Sequence, residues 1–540
     1  MRHRLPAHEV TDERLCLRTA ALPQPAAPNP CAESGPSVKA LRLRAATIAT
    51  IASTAALACI VSGCAVPAHL APPLARLDAD AVGPHADAKA APVDEAWWRM
   101  FQQPALDALV DKALRDNPSL AIADARLRRA EAIAQRVDAE DWPQVVARFD
   151  NTRQRFPEHA LFPPSIGGTR QNLATAQLAM TWELDFFGRN RAALDAALGA
   201  ARAAQADAAM ARLLLSAQVV RTYVQLARLL SLREVAERAL SQRAEVLALV
   251  RRRASAGLDT AVELQQAEGA VPDSRQSMEA LDEQIAARRH ALATLTVQPV
   301  EALASLQPRI AQLQPQPLPA SVPADLLGRR ADIDAARQRA EAATRDLDVA
   351  RADFYPSVNL VAFAGYNALG LDRLFDNGSR AMGIGPAIRL PIFDAGRLRA
   401  SQRAKAADLD AAIAAYNAAV LVAVQDAADQ ISALQSIDRQ QQEQTRAQAF
   451  AERAYRLAVQ RYEAGLGSYL VVLTAETGVL AQRRAGAELM ARALDSQAEL
   501  MRALGGGYAA VPDAVASPAT KNSVTSSAPS SATPSTTATR

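Results

Sequence analysis

Two hydrophobic periods alternate along this chain. From Pro104 to Glu140, Leu106, Leu109, Val110 and Leu114 recur at three- and four-residue spacing, which predicts a helix ended by Trp142-Pro143. The period then drops to two. Val145, Ala147 and Phe149 alternate with Val146, Arg148 and Asp150. After a loop from Pro157 to Gly168, Ala174, Ala176, Leu178, Met180, Trp182 and Leu184 alternate with Thr175, Gln177, Ala179, Thr181 and Glu183. An apolar row opposite a polar row over about ten residues fits a strand with lipid on one side and water on the other. Half of a soluble sandwich would give the same pattern for a single strand pair. From Arg189 to Ala256 there is no proline and one glycine, Gly199, so a helix of roughly 100 Å is expected. A second helix over 260–296 runs back, with a kink expected near Val271-Pro272.

The plan then repeats. Beyond a proline-rich crossing, Pro299 to Pro323, residues 331–353 read as helix and Pro356 breaks it. Val358, Leu360, Ala362, Ala364 and Tyr366 form one row of a strand, and Met382, Ile384, Pro386, Ile388, Leu390 and Ile392 one row of the next. Asp394-Ala395-Gly396-Arg397 opens another long helix as Phe186-Phe187-Gly188-Arg189 opens the first. That helix ends at Arg461-Tyr462-Glu463-Ala464-Gly465-Leu466-Gly467-Ser468, of which Arg253-Ala254-Ser255-Ala256-Gly257-Leu258-Asp259-Thr260 is a fainter copy. Both glycine pairs are 208 positions apart (465 − 257 and 396 − 188), and motif, offset and strand parity together establish an internal duplication. Each terminal glycine follows a run of helix formers, where a left-handed residue is expected, so each marks the tip of a helical hairpin.

Composition narrows the class. Hydrophobic residues are 50% and aromatics 4%, and an alanine-rich core suits close helix packing. A net charge of +3 is too balanced to favour nucleic acid. The six histidines show no ligand spacing, and all four cysteines fall within the first 64 residues, so the main body has no disulfide framework. Leu41-Arg42-Leu43-Arg44, the apolar run Ala45 to Val61 and Ser62-Gly63-Cys64 read as a secretory signal, too short and weakly apolar for a comfortable transmembrane helix. Val61-Ser62-Gly63-Cys64 resembles a bacterial lipobox, which makes Cys64 the lipidation site, and Ala65 after it points to the outer membrane. The 40 residues before the basic flank put the expected translation start nearer Val38 or Leu41. Residues 64–103 read as a lipidated strap with Trp97-Trp98 and Phe101 as an apolar anchor, and 509–540 as a disordered Ser/Thr/Ala/Pro-rich tail.

Four strands cannot close a barrel, and open strand edges are not tolerated in lipid. Membrane strands would therefore be pooled between protomers, with the helices projecting as a periplasmic tube. The succession Trp97-Trp98, Pro104-Ala105-Leu106-Asp107-Ala108-Leu109, Asn117-Pro118, Leu326-Leu327-Gly328-Arg329-Arg330-Ala331-Asp332-Ile333, Asp353-Phe354-Tyr355-Pro356-Ser357, Arg461-Tyr462 to Gly465 and Ala503-Leu504-Gly505-Gly506-Gly507-Tyr508 resembles the TolC-type outer membrane efflux protein family, NodT/OprM-like lipoprotein branch. The resemblance covers residues 64 to about 508. It implies a mostly α fold with a membrane β-barrel: a homotrimeric 12-stranded β-barrel continuing into a periplasmic α-helical barrel. It implies a first repeat over 104–298, a crossing over 299–330 and a second repeat over 331–508. It further implies the exit duct of a tripartite efflux system for drugs, toxic solutes or metal ions. The implied partners are a periplasmic adaptor (membrane fusion protein), an inner-membrane pump and outer membrane lipid.

Carried over residue by residue, the resemblance assigns Ala256, Gly257, Leu258, Ala464, Gly465 and Leu466 to adaptor-contact tips, and Leu470 with Thr474 to a constriction where three leucines would exclude water. The lipoprotein branch carries an aspartate and an arginine where this chain has Thr474 and Thr477, so its charged latch is not expected here in that form. Arg251, Arg252 and Arg253 with Asp259, Glu263, Glu268 and Glu476 offer either a different ionic latch or a solvated helix end. Ala331 stands where the family usually has proline. There is no G-x-S-x-G elbow, H-E-x-x-H or phosphate loop, so neither catalysis nor a cofactor or metal is expected. The competing reading is a periplasmic adaptor or scaffold lipoprotein. Such proteins carry one central hairpin flanked by β-rich modules, whereas this chain carries two hairpins, each abutting alternating strands.

Overall fold

The computed structural model describes residues 70–77, 93–159, 163–313 and 329–509; the signal, Cys64, Leu326-Leu327-Gly328 and the tail beyond residue 509 lie outside them. Among the described residues the first element is a 3-10 turn, Trp97–Phe101, and the stretch expected as one helix over 104–140 is two, α1 (Pro104–Asp116) and α2 (Pro118–Asp138). The break is local chemistry. Asn117 is extended, its side chain accepts from the Ser119 N–H at 2.9 Å, and Pro118 occupies the first helical position, where its missing donor costs nothing. The Asn117 amide also donates to the Leu295 carbonyl at 2.8 Å, tying this break to the end of a later helix.

Then come β1 (Gln144–Arg155), β2 (Arg170–Leu184), α3 (Arg189–Ser255) and α4 (Ala261–Leu295). The second copy is α5 (Ala331–Ala352), β3 (Ser357–Leu369), β4 (Arg380–Arg389), α6 (Arg397–Glu463) and α7 (Tyr469–Ala503). The two long helices have 67 residues each and the two return helices 35 each, so the duplication holds to the residue in its hairpin helices. At ~1.5 Å per residue each long helix measures about 100 Å. Helix α4 runs through Pro272 as one element. Strand β4 stops at Arg389 rather than Ile392, just before Pro391, which has no N–H for a ladder.

The strands form one antiparallel sheet in the order β1-β2-β3-β4, so the β2–β3 pairing joins the repeats. Val145 faces Met180, Met180 faces Ala362, and Ala362 faces Ile384. The sequence rows therefore merge into one apolar face (Val145, Phe149, Leu178, Met180, Leu360, Ile384, Ile388) and one polar face (Arg148, Gln177, Glu183, Asn359, Arg389). Gly365 is required at its position, because a Cβ there would lie 2.2 Å from the Ala176 carbonyl oxygen.

Small residues set the helix packing. Ala192, Ala196, Gly199, Ala203 and Ala206 form a buried stripe on α3, and a Cβ on Gly199 would come within 3.1 Å of the Ala342 Cβ on α5. Larger side chains gather where α1, α3, α4 and α7 meet. Trp97, Trp98, Phe101, Leu106, Val110, Val220, Leu226, Leu292 and Leu494 form the main core there, so the Trp-Trp anchor is a core element. Each such side chain contributes about 1.5–3 kcal/mol of burial. Part of the expected strap, residues 70–77, runs beside α6: the Leu74 N–H donates to Asp410 Oδ1 at 3.0 Å and the Leu77 N–H to Asn417 Oδ1 at 2.8 Å.

Candidate functional site

Two regions carry candidate function: the sheet and the hairpin tips. On the polar face of the sheet, Arg148 pairs with Asp150, while Glu183 and Arg389 stand near the strand ends that lead into α3 and toward α6. The opposite face exposes Val145, Phe149, Leu178, Met382, Ile384 and Ile388. A soluble sandwich would bury that face against a second layer. Here the described residues supply only the Leu374 loop, which covers Ala174 and Ala368. The outer edges of β1 and β4 have no strand partner among the described residues.

At the tips both chain reversals are alike. Ala256 and Ala464 cap the long helices, and Gly257 (φ +70°) and Gly465 (φ +73°) take the left-handed conformation. The Leu258 N–H bonds to the Arg253 carbonyl at 2.9 Å and the Leu466 N–H to the Arg461 carbonyl at 2.8 Å, the six-to-one bond of a Schellman motif. Leu258 and Leu466 are 66% and 71% exposed, so each tip presents a bare leucine. The return helices start differently. Thr260 and Glu263 form a capping box, whereas Ser468, their counterpart, makes no side-chain cap bond. Leu470 is 64% exposed on the first turn of α7. Thr474 lies one turn on, its hydroxyl donating to the Leu470 carbonyl at 2.8 Å.

The charged residues around the tip separate into three roles. Arg251 makes an exposed pair with Glu268 at 3.0 Å, worth little in water. Glu263 is used by the cap. Arg253 and Asp259 form a pair at 3.1 Å whose side chains are 13% and 8% exposed. Tyr462, at the end of α6, closes this pair into a link between the two hairpins. Its hydroxyl donates to Asp259, Arg253 lies over its ring at 4.6 Å, and Arg253 Nη1 donates to its carbonyl at 3.1 Å. Burial and the Asp259 hydrogen bond push the Tyr462 phenol far above its ordinary range, so it remains the donor. Beneath this link, Leu247, Val250, Ala267, Ala458, Tyr469 and Val472 pack around the Tyr462 ring.

Glu476 pairs not with the tip arginines but with Arg243, at 2.8 Å. Arg243 also reaches Asp273 at 2.9 Å, so it ties α3 to both α4 and α7. Sequence reasoning named neither Tyr462 as a site residue nor Arg243. Tyr462 was visible only as part of the tip motif, and Arg243 resembles any arginine on a charged helix.

A family model described as outer membrane efflux protein matches residues 109–297 and 322–506, that is, both copies. The chain is 35% identical over 367 residues to the fusaric acid resistance protein FusA of Burkholderia cepacia, covering 66% of this chain and 69% of that one. It is 32% identical over 431 residues to the multidrug resistance outer membrane protein MdtQ of Escherichia coli O157:H7, covering 77% and 88%. Among solved structures, the outer membrane protein VceC of Vibrio cholerae superposes with a TM-score of 0.72 at 35% identity, covering 78% of this chain and all of that one.

Proposed function

The chain belongs to the outer membrane efflux protein family, and from that premise we propose that it forms, as a homotrimer, the outer membrane exit duct of a tripartite efflux system. The observation that carries this reading is the four-stranded sheet with one continuous apolar face, one polar face and two edges unpartnered among the described residues. Three copies would supply twelve strands and leave no edge in lipid, with the polar face lining the passage. Exposed Leu421 and Val422 on α6 suit packing against a neighbour's helices. The duct passes drugs, toxic solutes or metal ions delivered by a periplasmic adaptor and an inner-membrane pump, and itself only opens and closes.

The tip residues Ala256, Gly257, Leu258, Ala464, Gly465 and Leu466 are the adaptor's landing surface in this reading. The glycines fix the turn and the bare leucines supply apolar contact. Leu470, with Thr474 one turn behind it, narrows the passage when three copies meet. The Arg253–Asp259–Tyr462 link holds the hairpins of one protomer together and opposes opening.

The strap supports an anchor at Cys64. Leu70, like Ala406, packs against the cluster of Ala340, Leu347, Leu409 and Ile413, Leu74 bonds Asp410 and Leu77 bonds Asn417, so the chain approaches the sheet end of α6 as residue number falls. Ala406 is nine residues, about 14 Å, from the start of α6. In this reading the acyl chain sits on Cys64, which closes the lipobox-like Val61-Ser62-Gly63-Cys64. Purified protein reconstituted in planar bilayers tests the main reading. SDS-resistant trimers with low resting conductance are expected, and a monomer without conductance would overturn it.

A further inference from the structure

On the outward face of the sheet the apolar rows end in arginine. Along β2 this face reads Leu184, Trp182, Met180, Leu178, Ala176 and Ala174, then Asn172 and Arg170. Along β1 it reads Val145, Ala147, Phe149, Asn151, Arg153 and Arg155. The register sets Arg155 directly opposite Arg170, with Arg153 one same-face row below, opposite Asn172. All three are exposed. Arg155 has Glu158 at 3.1 Å, but among the described residues neither Arg153 nor Arg170 makes an ion pair. Like charges directly opposite across a strand pair weaken the pairing, so this row favours a bound anion.

Its height identifies which anion. Ten residues from Leu184 to Ala174 span about 33 Å along the strand and about 25 Å along the membrane normal at a ~40° tilt, the height of an outer-membrane apolar band. Arg170 lies four residues further on, about 10 Å beyond that band and away from the helices. That depth is the headgroup layer of the outer leaflet. A guanidinium fork matches a phosphate bidentately, and exposed Phe149 and Leu178 below the row offer a surface for acyl chains.

We infer that Arg153, Arg155 and Arg170 form a site for the headgroup phosphates of an outer-leaflet phosphoglycolipid of the lipid A class. The inference rests on the sheet being a membrane barrel wall. Free phosphate could satisfy the arginines but would leave the adjoining apolar rows unused.

The test titrates the full-length detergent-solubilised protein with fluorescent lipid A bisphosphate, with its dephosphorylated form, and with lipid A in the presence of millimolar inorganic phosphate. Wild type and the luminal-face variant Arg148→Ala should bind lipid A alike. The double variant R153A/R170A should bind on the order of 20-fold more weakly, about fivefold per arginine. Dephosphorylated lipid should lose as much, and inorganic phosphate should not compete. Equal binding by the double variant, equal binding of the dephosphorylated lipid, or displacement by inorganic phosphate would each overturn the proposal. If the double variant does not assemble, Arg170→Gln alone is read for the fivefold loss. Absent trimers or conductance in the wild type would instead remove the barrel reading, so the two failures are distinguishable.

Discussion

Replacing Tyr462 by Phe removes one hydroxyl from the tip and little else. The ring keeps its place among Val250, Ala267 and Val472 and keeps Arg253 over its face. What is lost is the donor to Asp259, a carboxylate whose side chain is 8% exposed and whose remaining partner is Arg253. A hydrogen bond to a charged group contributes about 1.5–3 kcal/mol. If opening separates the hairpins, that amount comes off the closed state only. The open-to-closed ratio should then rise roughly 10- to 150-fold for each protomer that opens. The assay is open probability of single trimers in planar bilayers, compared among wild type, Tyr462→Phe, Asp259→Ala and the double variant. Because both single changes remove the Tyr462–Asp259 bond, the double should exceed Asp259→Ala by far less than the factor Tyr462→Phe gives alone. Tyr462→Phe trimers that assemble normally but open no more often than wild type would refute the link as a closure.

Leu470→Ala should raise resting conductance by widening the constriction; unchanged conductance would remove Leu470 from the gate. Gly365→Ala should prevent barrel assembly, read as loss of SDS-resistant trimers, because its Cβ would sit 2.2 Å from a strand carbonyl that cannot yield without breaking the β2–β3 ladder. Asp495 on α7 has one buried oxygen without a partner among the described residues and accepts from Gln225, and burial pushes its carboxyl up to about 6 despite Gln225, Arg221 and Arg228. Between the unfolded value of 3.8 and that figure the native state holds the extra proton, so stability falls as pH rises through the window, by about 3 kcal/mol in all. Asp495→Asn should therefore gain more melting temperature over wild type at pH 7.5 than at pH 4.5, and equal gains at both would contradict this.

Much of the architecture was written locally. Strand parity survives intact from sequence into register because a pleated strand has period two and no bulge interrupts β1 through β4. The tips were legible because only glycine takes φ near +70° freely after a helix. The break at Asn117 was missed although its signal was present: an asparagine cap followed by proline outweighs leucine spacing that continues past it. The tip link was not legible for a different reason. Tyr462 and Asp259 are 203 residues apart, and nothing in either neighbourhood says that the hairpins meet there. Likewise, three arginines and four acids near one tip did not reveal which would pair, since burial selected Arg253 and left Arg251 in water.

The matched helix lengths constrain how such a chain can change. Deleting one residue from α6 would draw its tip back by about 1.5 Å and turn everything beyond the cut by about 100°. Buried α6 residues beyond the cut, such as Leu434, Ile437 and Tyr462, would then face the wrong neighbours, and one of two tips that should stand level would sit low. Length in this molecule can therefore drift only in step, a change in one copy answered by the same change 208 positions away.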